Sequence, residues 1–253
     1  MTELEGLKIF EMETGHAKNV ANLGKAKINI TGYGANYQPS NPRLAVSAIG
    51  SKYTNSDVAV KAVEPFRVPY KNFIDGRKVI FAGVNKLFTS AFKNLKSSDG
   101  VPKTTVNDAF TILKKIKGTN KPPKLKEGEP VPGAHSTSQQ SYDMRLANVN
   151  ELIALLANTT QYNPTETDIQ VLALKAFAED LQKANDKVAE TYQPFSEALK
   201  NRDIELYYPE TGLYDIAAKL KLYVSSITAL SATDKKLITS LKFTKPSKKF
   251  LHF

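Results

Sequence analysis

Apolar residues recur at intervals of three and four over most of the chain, the spacing of one face of an α-helix. The longest stripe runs Ile169, Leu172, Ala173, Ala176, Phe177, Leu181, Ala184, Val188, Tyr192, Phe195 and Leu199, with Glu179, Asp180, Lys183 and Asp186 off it. It predicts a helix starting at 165–168, where a Thr hydroxyl and an Asp carboxylate can satisfy the first free amides. A similar stripe passes through Leu44, Ala48, Ile49, Tyr53, Val60, Val63, Phe66, Tyr70, Phe73 and Ile74. Asn41-Pro42 precedes it, an N-cap residue followed by a first-turn proline. Pro69 and Pro194 fall inside these two stripes and predict a kink in each, because an interior proline removes a hydrogen bond and clashes one turn back. Pro65 predicts a full break in the first.

Flanking helices are expected at 16–34 and 139–159, then at 79–96 and 212–229. A last pair should start at Thr105 and Ser231 and run to about 117 and 242. Gly24, Gly32 and Gly34 weaken the first of these. The expected fold class is all-α.

The same order of elements suggests an internal duplication at an offset near 125 residues. Asn19-Val20-Ala21-Asn22-Leu23 aligns with Arg145-Leu146-Ala147-Asn148-Val149, and Tyr37-Gln38-Pro39 with Tyr162-Asn163-Pro164. Pro69-Tyr70 aligns with Pro194-Phe195, and Arg77 with Arg202. The expected organisation is two tandem bundles of about four helices each. The first would span 1–117 with an acidic N-terminal arm, and the second 141–253 with a basic C-terminal tail. A proline- and glycine-rich linker at 118–140, which includes His135, would join them.

Composition narrows the chemistry. The 253 residues include no cysteine, no tryptophan and three histidines. Disulfides, thiolate metal sites and a cysteine nucleophile are excluded. No apolar run approaches a membrane span, and the acidic start lacks the pattern of a secretory signal. A reducing cytoplasm is the expected compartment.

The net charge is +10. Two stretches hold the excess: Lys114, Lys115, Lys117, Lys121, Lys124 and Lys126 in 111–126, and Lys235, Lys236, Lys242, Lys245, Lys248 and Lys249 in 235–253. Neither stretch contains an acid, so the remainder is close to neutral. Clustered lysines suit phosphates or an acidic partner. They equally complement helix C-termini and keep a tail solvated. Arginine, the usual reader of bases and phosphates, is absent from both stretches.

Motifs for phosphate loops, dinucleotides, zinc proteases, serine hydrolases and calcium loops are missing. His16 lies near Glu11 and Glu13 and reads as an exposed residue rather than a metal ligand. His252 reads as part of a mobile end. Glu190, Glu197, Asp203 and Glu205 read as a solvated helix face. The Tyr-x-Pro turns at Tyr37 and Tyr162 read as structural ties, with each hydroxyl finding a backbone acceptor. Tyr207, Tyr208 and Tyr214 form a candidate recognition patch, with core or capping positions as the alternative. The expectation is a non-enzymatic helical interaction or scaffold protein with no cofactor and no metal, binding protein partners or itself. The alternative is a nucleic-acid-associated protein that grips phosphate through the two lysine stretches.

Overall fold

The computed structural model describes residues 3–119, 140–247 and 251–253, which are all-α with no strand among them. The helices are α1 (Glu3–Gly32), α2 (Val46–Lys61), α3 (Glu64–Ala82), α4 (Val84–Ser97), α5 (Lys103–Lys117), α6 (Tyr142–Ala157), α7 (Val171–Tyr207), α8 (Leu213–Ser226) and α9 (Ala232–Thr239).

Helix ends follow local chemistry. Ser141 caps α6 by accepting from Met144 N–H at 3.2 Å. Ser231 caps α9 by accepting from Asp234 N–H at 3.0 Å. α5 stops at Gly118, whose φ of 68° lies in the left-handed region that glycine enters without strain. The chain breaks between α2 and α3, and Pro65 then sits in the first turn of α3. Helix continues through Pro69 in α3 and Pro194 in α7.

Two helix starts differ from expectation. Pro42–Leu44 and Thr167–Ile169 are short 3-10 turns, and the α-helices begin only at Val46 and Val171. Tyrosine hydroxyls tie both breaks down. Tyr37 donates to the Leu44 carbonyl and Tyr162 to the Ile169 carbonyl, both at 2.6 Å and both buried. Each hydroxyl pins the carbonyl next to an extended residue, Ala45 with ψ 146° or Gln170 with ψ 146°, and that residue interrupts the helical run. The Tyr-x-Pro segments are therefore the structural ties expected of them. Burial raises both phenols above their ordinary range, Tyr162 to about 12.

α1 also starts much earlier than the expected residue 16. The segment 3–14 holds four Glu and two Leu, both strong helix formers. Gly24 does not end α1. A Cβ there would meet the Tyr53 ring at 2.8 Å, so the missing side chain lets α1 and α2 approach.

The chain packs as two compact units with borders unlike 1–117 and 141–253. One unit combines 1–69 with 191–253, and the other is 70–190. The physical reason lies in α7. Its 37 residues exceed twice the length of α4, α5 or α6, with 14, 15 and 16. One bundle of such helices cannot cover it. Leu174, Ala178 and Leu181 from its first half are buried in one core, and Leu206 and Tyr207 from its end in the other. Most of the 118–140 linker lies outside the described residues.

In the unit of 1–69 and 191–253, α1 packs on α2, α8 and α9. Val20, Leu23, Ile30, Ile49, Leu213, Leu220 and Val224 fill its core. In the unit of 70–190, α5 packs between α4 and α6 around Phe81, Phe88, Leu95, Ile116, Leu152 and Leu156. Burying each such side chain is worth about 1.5–3 kcal/mol by transfer from water. No helix among the described residues is long and apolar enough to cross a membrane.

Candidate functional site

The basic stretches divide between the units. Lys114, Lys115 and Lys117 stand in the last turn of α5. Lys115 pairs with Glu151 of α6 at 3.4 Å, and the Lys114 ammonium lies 4.4 Å from the centre of the Phe110 ring. Lys235, Lys236, Lys242 and Lys245 belong to the other unit. Lys245 donates to the Tyr207 carbonyl at 3.1 Å. Two of the candidate contacts are thus spent on tying the fold. Lys121, Lys124, Lys126, Lys248 and Lys249 lie outside the described residues, as does His135.

The three tyrosines do not form one exposed patch. Tyr207 is 1% exposed and belongs to the core, because its position on α7 faces α1. Tyr208 is exposed, with Phe253 tilted against it at 5.6 Å. Tyr214 packs on the core edge with Lys245 above its ring.

Two features of the unit formed by 1–69 and 191–253 stand out. The first is a groove of about 420 Å³ between α1 and α9. Ile28, Leu237 and Leu241 line it, with Lys25 and Lys236 on its rim and Asn29, Thr233 and Ser240 between. Ile28 is 72% exposed and Leu237 46%. The groove exists where α9 is short. Its eight residues end at Thr239, and Ser240 and Leu241 turn away from helix. α5, by contrast, has 15 residues and buries Ile112, Leu113 and Ile116 against its neighbours.

The second is a buried polar network that sequence reasoning did not find. His16 is 1% exposed, contrary to the expectation of an exposed residue. Its Nδ1 lies 2.6 Å from the Tyr207 hydroxyl, which also accepts from Asn19 Nδ2 at 3.2 Å. Which of the two atoms donates depends on the imidazole tautomer. Nε2 is buried without a hydrogen-bond partner among the described residues. Burial, helped by the Arg202 charge, pushes the His16 pKa down to about 4.

Asp203 is fully buried, so it is not part of a solvated face. Its Oδ1 accepts from Arg202 Nε and Nη2 at 2.9 and 2.8 Å. Its Oδ2 accepts from the His252 backbone N–H at 3.1 Å and faces His252 Nδ1 at 2.6 Å. His252 is therefore anchored, contrary to expectation. These donors outweigh burial and hold the Asp203 carboxyl below its usual range.

No known protein family, curated protein or solved structure matches this chain. The site must be read from its own chemistry. No group of three or more His, Asp or Glu able to hold a metal occurs among the described residues. The sequence signal for the network was faint but present. Asn19 and Asn22 fall on the apolar face of α1 beside Val20 and Leu23, where a buried amide needs a partner. Nothing near in sequence named that partner, because Thr244 and Lys242 are more than 200 residues away.

Proposed function

We propose that this protein is a non-enzymatic helical interaction protein whose α1–α9 groove accepts an acidic amphipathic segment of a protein partner. The groove carries the reading. Exposed Ile28 and Leu237 supply an apolar floor, and Lys25 and Lys236 supply positive charge at its rim. An amphipathic helix laid in such a groove buries its apolar face. Acidic residues flanking that face meet the two lysines, which steers the encounter and sets orientation. The two bundles would descend from one duplicated module. The lack of cysteine suits a reducing cytoplasm, which we take as its compartment.

Nucleic-acid binding is the weaker reading, because Lys115 and Lys245 are engaged within the fold. Selection of a displayed helical-peptide library against the full chain tests the proposal. Acidic amphipathic peptides should emerge, and Ile28→Asp/Leu237→Asp should weaken them by about ten-fold or more. Lys25→Ala/Lys236→Ala should weaken them less and flatten the salt dependence. Recovery of no binder, or equal binding to the double-Asp variant, would overturn the groove. Tight, salt-sensitive binding of a short labelled DNA duplex would favour phosphate instead.

A further inference from the structure

After α9, residues 241–247 run as a non-helical strap against α1 and the end of α7. Asn19 clasps it at Thr244. Its Oδ1 accepts from the Thr244 N–H at 2.9 Å, and its Nδ2 donates to the Thr244 carbonyl at 2.7 Å. One turn along α1, Asn22 Nδ2 donates to the Lys242 carbonyl at 2.8 Å. Lys245 donates to the Tyr207 carbonyl in the last turn of α7. Phe243 packs against the core beneath the Lys221 ammonium.

The asparagine contacts read backbone, while Phe243 and Lys245 add side-chain identity. The side chains of Lys242 and Thr244 are exposed, while the Asn22 and Asn19 carboxamides that hold their backbone are buried. A carboxamide pairing both polar groups of one residue does what a neighbouring β-strand does, which is a general way to bind extended peptide. Without a backbone opposite them, these carboxamides would lose those hydrogen bonds while remaining buried. The cradle therefore demands a peptide.

The aligned positions of the other unit carry different chemistry. Arg145 stands where α1 has Asn19, and Lys78 where α7 has Asp203. Arg145 turns to the Phe81 carbonyl, and Arg77 stacks 4.0 Å from the Tyr142 ring centre. The backbone clasp is thus particular to one of two otherwise parallel helix arrangements.

We propose that the Asn19–Asn22–Tyr207 cradle is a binding site for an extended, lysine-bearing peptide segment, and that the chain's own strap is its resident, displaceable occupant. The segment it fits presents an aromatic residue and then, two positions on, a lysine, as Phe243 and Lys245 do. This site is separate from the α1–α9 groove and does not depend on it.

The probe is a fluorescein-labelled peptide of residues 240–253, titrated against the full chain by anisotropy. Thr244→Pro removes the N–H that Asn19 accepts, and Lys245→Ala removes the ammonium tie. Both changes weaken the strap in cis and leave the cradle intact. The peptide should bind this double variant roughly ten-fold or more tightly than it binds wild type, and adding Asn19→Ala should abolish the gain. Lys245→Ala/His252→Ala, which keeps the Thr244 pairing, should show a smaller gain in the same direction. Equal binding to wild type and both variants overturns the proposal. So does absence of binding to a variant whose circular dichroism and thermal unfolding are native. The groove is scored independently, because acidic peptides selected against it should bind the Asn19→Ala protein undiminished.

Discussion

Single residues in this protein do work that their types do not announce. His16 is the clearest case. Its neutral ring is built into the fold, with Nδ1 committed to Tyr207 and a pKa pushed from 6.5 down to about 4. The unfolded chain therefore takes up a proton at a higher pH than the folded one. The stability held by the neutral ring is complete above pH 6.5 and drains away as pH falls toward 4. Denaturant titrations at pH 7 and pH 5 should differ by roughly 2 kcal/mol for the wild type. His16→Gln, which cannot titrate, should start lower and show little change across that interval. Asp203 does not confuse the measurement. Its carboxyl is held below the usual range, so its contribution is lost only under more acidic conditions. An equal loss in both proteins would show that the ring is not the titrating group.

At the scale of elements, caps and ties decide where helices begin. Serine side chains start α6 and α9, and extended Ala45 and Gln170, beside carbonyls tied by tyrosine hydroxyls, set the starts of α2 and α7 at Val46 and Val171. α9 is the vulnerable element. With eight residues it has little internal cooperativity, and its existence rests on packing and its cap. Ser231→Ala should cost about 1 kcal/mol. Amide exchange should accelerate across 232–239, with the rest of the protein unchanged. Ser141→Ala should cost a similar amount but leave exchange in the middle of the longer α6 slow. If 232–239 exchanged no faster in Ser231→Ala, the short helix would be held by α1 and α8 alone.

Across the whole molecule, the division into units is the dominant fact. The N-terminal half supplies α1 and α2 to one unit and the end of α3, α4 and α5 to the other. The C-terminal half does the reverse, with α6 and the start of α7 in one, and the rest of α7, α8 and α9 in the other. On the duplication reading, each unit joins the front of one repeat to the back of the other. Neither half then carries a complete core. Fragments 1–119 and 140–253 should each be poorly helical and non-cooperative as monomers. Mixing them should restore the far-ultraviolet spectrum and the cooperative transition of the intact chain. A fragment that unfolds cooperatively alone, as a monomer with full helicity, would contradict this division.

Local order was legible from residues close in sequence. Three- and four-residue spacing marked the helices, Ser231 stood at a helix start, and the Tyr-x-Pro pairs foretold their backbone ties. These signals act over one or two turns, so the amino-acid order alone determines them. Tertiary structure decided which helices share a core, because an apolar stripe states that it must be buried and not against what. It also decided the sense of the exceptions. Gly24 weakens an isolated helix but seats the Tyr53 ring, and Asp203 resembles a surface carboxylate until Arg202 and His252 enclose it. Asn19 and Thr244 meet across 225 positions. Such a pairing has no local signature, since its energy exists only once two distant stretches have been brought together and the water between them removed.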